Sequence, residues 1–223
     1  MTHKYLFSPK NKEAIDNFLK LIKSEINKSK TFDHLSFTLS PRIIGDSIQE
    51  VIENIFRNKL PENIGVSVDE KFARRSMADV AFTDIYNNYC IVDIKTHNIN
   101  TEFNMPNLTS VRRLADLYMD NENVFSILVV NYEIVNENIK IIDIVFEAIE
   151  HFNWDCLTIG ALGWGQIQIS NSNIINTDVS LTRKQWMINL CDILSIFYPK
   201  EISKINDRIT YFDKIKQHWE GVE

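Results

Sequence analysis

Cysteines and long apolar runs are scarce in this chain of 223 residues, and each scarcity excludes a class of protein. The three cysteines (Cys90, Cys156 and Cys191) lie far apart and form no Cys-x-x-Cys pair, which excludes a zinc site and a disulfide framework. No apolar stretch approaches the ~18 residues that a membrane-spanning helix needs. The N-terminal residues lack the apolar run and the cleavage site of a signal peptide. We therefore expect a cytoplasmic protein.

The charge balance limits the partners of this chain. Against 24 Lys and Arg stand 30 Asp and Glu, for a formal net charge of -6. Phosphate affinity comes mainly from basic side chains, so this balance disfavours a nonspecific binder of polyanions. It leaves room for a protein whose basic residues gather in one cleft. A content of 44% hydrophobic and 24% charged residues is ordinary for a folded domain and argues against disorder.

Hydrophobic periodicity predicts helices at both ends of the chain and strands between them. Ser8-Pro9 and Ser40-Pro41 are helix start signals, and an apolar helical face follows each. Short β-forming segments come next, with Asn87-Asn88 as the turn of a hairpin. The apolar run 125–130 indicates a central strand that is buried on both faces.

The remaining elements complete an α/β (α+β) chain, with a central mixed β-sheet flanked by helices. A short helix is predicted for 108–119, with Asn107 as its N-cap in the simplest interpretation. Thr182 and Gln185 fit a capping box, and Pro199 is expected to end that helix before a last one begins. We expect one domain over 1–223, with N-terminal helices at 9–60, a sheet core at about 64–170 and C-terminal helices at about 182–220.

The residues most able to support chemistry lie between Asp79 and Lys95. Because strand side chains alternate, Asp93 and Lys95 share one face of their strand, while Ile94 points the other way. If the two β-like segments pair as a hairpin, Asp79 lies beside Asp93 at its open end. The carboxylates of Asp79 and Asp93 then lie close to the ammonium of Lys95. Carboxylate oxygens are hard ligands that suit Mg²⁺. The alternative is an exposed ion pair, and a D-x-K pattern alone does not decide between them.

Three segments, in order along the chain, resemble the PD-(D/E)xK nuclease superfamily, and within it the blunt-cutting type II restriction endonucleases of the HincII, HpaI and EcoRV kind. Ala78 stands where the superfamily has proline, a common departure. The three segments are Ala78-Asp79-Val80 with Val92-Asp93-Ile94-Lys95-Thr96, then Met105-Pro106-Asn107-Leu108-Thr109-Ser110, and then Gly163-Trp164-Gly165-Gln166-Ile167-Gln168-Ile169 with Thr182-Arg183-Lys184-Gln185-Trp186.

The resemblance implies a Mg²⁺ site formed by Asp79, Asp93 and the carbonyl of Ile94. Lys95 would either orient or deprotonate the attacking water or hold the scissile phosphate, and spacing does not separate these roles. The family's helix glutamate falls on Gln49, with Glu50 beside it, so both are candidate catalytic residues. For Glu50 and Glu53 a solvated helix face is an equal alternative.

The resemblance also implies two segments that contact DNA. The first approaches the minor-groove side and helps distort a central pyrimidine–purine step, while the glycine-rich second segment reads base edges in the major groove. Without the resemblance, an edge strand with a glycine-rich turn would be the simpler interpretation. The candidate DNA-binding residues are Asn104, Met105, Asn107, Thr109, Arg112, Leu162, Gly163, Trp164, Gly165, Gln166 and Gln168. Phosphate contacts are expected from Lys71, Arg74, Arg75, Arg112, Arg113, Arg183 and Lys184.

The implied activity is that of a Mg²⁺-dependent, homodimeric type II restriction endonuclease. It would cut double-stranded DNA at the centre of an AT-rich palindrome, leave blunt ends with 5′-phosphates, and act beside a cognate DNA methyltransferase. A C2 dimer mirrors the symmetry of such a site. Other open hypotheses are a repair or junction-resolving nuclease of the same superfamily, a non-catalytic DNA-binding regulator, and a plain interaction domain. We expect no membrane partner, and structural roles for His97 and His151.

Overall fold

A computed structural model describes residues 4–29, 41–69, 78–101, 106–135, 138–170 and 174–222. Contacts divide the chain into two compact units, Met1–Ser180 and Leu181–Glu223, so the single domain stays a prediction. The helices are α1 (Lys12–Lys28), α2 (Pro41–Lys59), α3 (Val111–Leu117) and α4 (Arg183–Glu220). The strands are β1 (Gly65–Val68), β2 (Val80–Asp84), β3 (Tyr89–Asn98), β4 (Asn107–Ser110), β5 (Asn123–Val135), β6 (Asn138–Ala148), β7 (Leu157–Gly160) and β8 (Gln166–Ile169).

The first unit is built on a five-stranded mixed sheet in the order β1-β2-β3-β5-β6. Strand β3 lies at its centre, antiparallel to β2 and parallel to β5. The predicted hairpin of β2 and β3 is confirmed, and Asn87 adopts φ 69° in its turn, a left-handed conformation that asparagine tolerates. Strand β5 is buried along most of its length, as its apolar run predicted. The predicted architecture of a central mixed sheet with flanking helices is therefore confirmed for the described residues.

Helices α1 and α2 cover this sheet with the apolar faces that the sequence predicted. Helix α1 packs against β6, and α2 packs against β3. Phe18 of α1 and Phe56 of α2 meet edge to face with ring centroids 5.2 Å apart, and both approach Phe146 of β6. This packing holds α2 against the strand that carries Asp93 and Lys95.

Two local predictions were wrong. Residues 107–110 form strand β4, so Asn107 does not cap a helix, and α3 begins only at Val111. Helix α4 continues through Pro199, which was expected to end it. A proline removes one backbone hydrogen bond and can bend a helix without ending it when helix-forming residues continue on both sides. The capping box of Thr182 and Gln185 at the start of α4 is confirmed.

Candidate active site

Asp79 is fixed at the open end of the β2–β3 hairpin by backbone hydrogen bonds. Its N–H donates to the carbonyl oxygen of Val92 over 3.0 Å. Its Oδ2 accepts from the N–H of Ile94 over 2.7 Å. Pairing of β2 with β3 stops at Val80 and Val92, so β3 continues beyond its partner and leaves the Ile94 N–H to the aspartate. The hairpin thus brings Asp79 to the Asp93-Ile94-Lys95 segment.

Asp93 and Lys95 lie on one face of β3, and their side chains form an ion pair. Lys95 Nζ lies 2.9 Å from Asp93 Oδ1. Asp93 is buried, whereas the Lys95 side chain keeps 24% of its exposure. Ile94 is buried in the apolar core. The pair is therefore not the exposed surface ion pair of the simpler interpretation.

The carboxyl group of Asp93 is electrostatically strained. Burial raises the pKa of Asp93 from its ordinary 3.8 to about 7; the ammonium of Lys95 opposes this rise, and the negative charge of Asp79 adds to it. Asp93 Oδ2 is buried and has no hydrogen-bond partner among the described residues. A buried carboxylate with a free oxygen is costly unless a further cation satisfies it.

The pKa of Asp79 is also shifted, by a different set of contacts. Burial raises the pKa of Asp79, and the charge of Glu53 adds to this effect. The Ile94 N–H, the Lys95 ammonium and the Gln49 amide oppose it. Perturbed carboxyl groups of this kind cluster at functional sites, although structural networks produce them too.

Helix α2 contributes Gln49, the residue on which the resemblance places the glutamate of the nuclease family. Gln49 Nε2 donates to Asp79 Oδ1 over 2.9 Å and to Glu53 Oε1 over 3.0 Å. Glu53 is buried at 3% exposure and also pairs with Arg57 over 3.3 Å. The solvated-face interpretation of Glu53 is therefore wrong. Its position one turn after Gln49 was the signal that could have assigned it to the site.

Glu50 does not share these contacts. It is exposed, and the helix turns it about 100° away from Gln49. The structure thus brings Gln49 to Asp79 and leaves Glu50 on the surface of α2.

A cavity of about 300 Å³ opens beside this network, between α2 and β3. Gly45 allows the close approach of the two elements, because a Cβ at this position would lie 2.5 Å from Thr96 Oγ1. Lys95 lines the cavity together with Gln49 and His97, and Pro106 and Ile169 lie on its wall. The cavity therefore extends from the catalytic candidates towards β4 and β8.

The described parts of both segments that were expected to contact DNA contribute strands to one small sheet, in the order β4-β8-β7. Asn107 of β4 pairs with Gln168 of β8, and Gln168 Nε2 donates to Asn107 Oδ1 over 2.7 Å. Gln166 and Gln168 share the less buried face of β8, whereas Ile167 and Ile169 are buried. The predicted alternation along β8 is confirmed.

Thr109 lies on the opposite, buried side of this sheet. The register of β4 shifts between Asn107 and Thr109, so that Thr109 pairs with Ile167 while Asn107 pairs with Gln168. A bulge of this kind turns the following residues to the other face. Thr109 is consequently buried, and its Oγ1 has no partner among the described residues. The structure does not present Thr109 at the surface with the other candidates.

The turn between β7 and β8 presents large side chains to solvent. Gly163 and Gly165 adopt positive φ angles of 59° and 101°, which glycine permits. Leu162 and Trp164 are exposed at the turn. The guanidinium of Arg112 lies 5.0 Å from the ring centroid of Trp164. Trp164 is thus a surface residue here and not part of the core.

Five of the other candidates lie outside the described residues, namely Asn104, Met105, Lys71, Arg74 and Arg75. Arg113 is exposed on α3, and Arg183 and Lys184 belong to the second unit.

The two histidines differ in their contacts. His151 is buried between Tyr5 and Glu147, with distances of 2.6 and 2.7 Å, which supports its structural role. His97 is buried on the cavity wall.

The donor set suits one divalent cation. Within the described ranges, no group of three or more His, Cys, Asp or Glu side chains is arranged to hold a metal. The implied site needs only two carboxylates and a carbonyl, and a strand residue points its N–H and C=O to the same edge. Ile94 therefore directs its carbonyl to the edge where its N–H meets Asp79. With the unsatisfied Oδ2 of Asp93, these hard oxygen donors fit Mg²⁺.

No protein-family model matches the chain, and no curated protein matches it significantly. Among the described helices, none combines the length and the apolar character that crossing a membrane requires.

Proposed function

We propose that this protein is a Mg²⁺-dependent type II restriction endonuclease with a PD-(D/E)xK fold. One observation carries the proposal. The ion pair of Asp93 and Lys95 lies on the central strand, next to Asp79. The second carboxylate oxygen of Asp93 is buried without a hydrogen-bond partner among the described residues. A buried carboxylate of raised pKa beside a second carboxylate and a lysine is unfavourable for stability and useful for phosphodiester hydrolysis.

The chain's own residues would divide the work at this site. Asp79, Asp93 and the Ile94 carbonyl would hold Mg²⁺, which supplies a water of lowered pKa and offsets charge on the scissile phosphate. The Ile94 N–H and the Gln49 amide orient the two oxygens of Asp79. The ammonium of Lys95 lines the cavity, where it can orient the attacking water or bind the phosphate. Hydrolysis would leave a 5′-phosphate and a 3′-hydroxyl.

The small sheet supports site-specific binding to double-stranded DNA. Glutamine and asparagine pair bidentately with adenine, and apolar groups contact thymine methyls. Gln166, Gln168 and Asn107 lie next to one another on this sheet, and Pro106 and Ile169 at its edge line the same cavity as Lys95. Recognition and cleavage would therefore take place on neighbouring elements. An AT-rich palindrome read in this way calls for a homodimer, with a cognate methyltransferase protecting host DNA.

The test is digestion of AT-rich phage DNA by the full chain, with Mg²⁺, with EDTA, and with Lys95→Ala. We expect discrete bands that require both Mg²⁺ and Lys95, and end sequencing should show blunt ends with 5′-phosphates. Uncut DNA across enzyme and salt concentrations would refute the endonuclease. Binding of the protein to one DNA sequence without cutting would then favour a regulator. Cleavage of branched DNA, but not of linear duplexes, would favour a junction-resolving nuclease.

A further inference from the structure

Helix α4 carries a row of exposed residues at alternating spacings of three and four. We call this row the α4 seam; apart from Ser195 and Lys216 its side chains are apolar or aromatic. Spacing of this kind, sustained over four heptads, is the pattern of residues that face a partner helix in a coiled coil. The seam consists of Ile188, Cys191, Ser195, Tyr198, Ile202, Ile205, Ile209, Phe212, Lys216 and Trp219, all of them exposed.

The seam is separate from the face of α4 that is buried within the chain. Trp186 and Leu190 are the buried residues of this helix. At about 100° per residue they lie opposite the start of the seam, at Ile188 to Ser195. An amphipathic surface helix has one apolar stripe, whereas α4 has a second stripe whose residues are exposed.

The apolar surface of the seam is large enough for a stable interface. Its seven large side chains are 36% to 67% exposed. At roughly 100 Å² each they present on the order of 700 Å² per copy, close to the ~800 Å² per partner of a typical interface. Contiguous exposed apolar surface of this size marks an interaction site. The seven side chains are Ile188, Tyr198, Ile202, Ile205, Ile209, Phe212 and Trp219.

We propose that α4 pairs in parallel with α4 of a second copy of this chain, through the α4 seam. The charges that flank the seam favour this orientation. In a parallel pair, Arg208 of each helix faces Asp213 of the other, five residues on, which makes two ion pairs by symmetry. In the antiparallel alignment that superposes the two seams, Arg208 faces Glu201, but Asp213 faces Asp192. Like charges therefore offset the ion pairs at the flanks of the antiparallel pair, whereas the flanks of the parallel pair carry no such repulsion.

The paired helices involve α4 alone, and they would give the proposed nuclease dimer an interface. The first test is sedimentation equilibrium of the full chain in EDTA without DNA. We expect a dimer, and Phe212→Asp should raise its dissociation constant at least about 30-fold, because a charge would enter the seam. Tyr211→Asp is the matched control, since Tyr211 is a similarly exposed aromatic one residue away from the seam. A monomeric wild-type chain at tens of micromolar, or equal effects of both variants, would overturn the proposal.

The native cysteine tests the orientation. Cys191 is exposed on the seam, whereas Cys90 and Cys156 are buried. In a parallel pair each Cys191 faces its copy, so mild oxidation should give a disulfide-linked dimer that Cys191→Ser abolishes. In the antiparallel pair Cys191 would face Lys216, and no cross-link would form, which would contradict the parallel arrangement.

Charge-reversal variants test the same interface independently. Arg208→Asp and Asp213→Arg should each weaken the dimer, and the double variant should restore it. Failure of the double variant to recover would argue against the pairing of Arg208 with Asp213. Lys95→Ala separates this inference from the proposed function: we expect it to dimerise fully and to cut no DNA. A monomeric protein that cuts DNA would refute pairing through the α4 seam and would support the proposed nuclease activity.

Discussion

Gln168 Nε2 donates a hydrogen bond to Asn107 Oδ1 over 2.7 Å, so two residues 61 positions apart in the chain form one polar surface. The sequence suggested each residue separately as a DNA contact. Their pairing on β4 and β8 means that a base edge would meet both side chains together. In the free protein each amide partly satisfies the other, and DNA would have to replace this bond with contacts of its own.

Replacement of Gln168 by alanine should relax sequence discrimination more than it weakens binding in general. A bidentate contact to a base contributes about 1–3 kcal/mol of discrimination, or roughly 5- to 150-fold. The measurement is the ratio of the cutting rate at the cognate site to that at sites with one changed base pair. An unchanged ratio would exclude Gln168 from base readout.

Arg113→Ala is the control for that prediction. Arg113 is exposed on α3, next to the small sheet in sequence. A phosphate contact adds affinity without sequence information, so we expect Arg113→Ala to bind all sequences more weakly. The slope of the logarithm of the binding constant against the logarithm of salt concentration should fall in magnitude by about one. Equal loss of discrimination in both variants would mean that Gln168 contributes no more to base readout than a residue expected to contact phosphate.

Asp93→Asn should stabilise the metal-free protein above neutral pH while abolishing cleavage. The pKa of Asp93 is raised from 3.8 to about 7 in the folded chain, so the folded state binds more protons than the unfolded state between these values. The stability that Asp93 confers is therefore present below about pH 4 and is lost as pH rises to about 7, by up to a few kcal/mol. Urea unfolding in EDTA should show a gain for Asp93→Asn at pH 8 and little difference at pH 4.

Magnesium provides the control for the titration of Asp93. If Asp93 holds the cation, Mg²⁺ should stabilise the wild-type protein at pH 8 and leave Asp93→Asn nearly unchanged. Equal stabilisation of both proteins would place the cation elsewhere.

The cluster of Asp79, Asp93 and Lys95 was predictable because its placement follows from local rules. Strand alternation placed Asp93 and Lys95 on one face, and the hairpin turn brought Asp79 to them. The burial of Glu53 was only partly predictable. Its i,i+4 spacing brings it to the Gln49 amide within α2. A glutamate on an amphipathic helix is normally solvated, however, and Glu53 is buried because α2 packs against β3.

The small sheet and helix α4 show two further limits of the sequence patterns. The bulge between Asn107 and Thr109 depends on pairing with β8, a segment more than fifty residues away, so nothing local signals that Thr109 turns inward. Pro199 has the usual form of a stop signal, yet the helix-forming residues after it continue the helix. In both places the hydrogen bonds of the surrounding structure outweigh the preference of a single residue.

Gln49→Leu should destabilise the protein by about 1–3 kcal/mol, because one amide donates to the carboxylates of both Asp79 and Glu53. Both carboxylates lie in partly or fully buried positions, so the loss of their donor is not made good by water. Glu50→Leu is the matched control on the exposed face of α2, where a change within about 0.5 kcal/mol is expected. Thermal unfolding in EDTA at pH 7 measures both. Equal effects would mean that the Gln49 bonds contribute nothing to stability.

Gly45→Ala should destabilise the protein, although alanine is the better helix former by about 1 kcal/mol. A Cβ at this position would lie 2.5 Å from Thr96 Oγ1, so α2 would have to move away from β3 and carry Gln49 away from Asp79. Cleavage should therefore fall together with stability. Thr96→Ala removes the obstructing oxygen, and in the double variant with Gly45→Ala both properties should recover. A stabilised Gly45→Ala protein would show that α2 and β3 can adjust to the added methyl group without loss of stability. Gly45 would then not be the residue that fixes the position of Gln49.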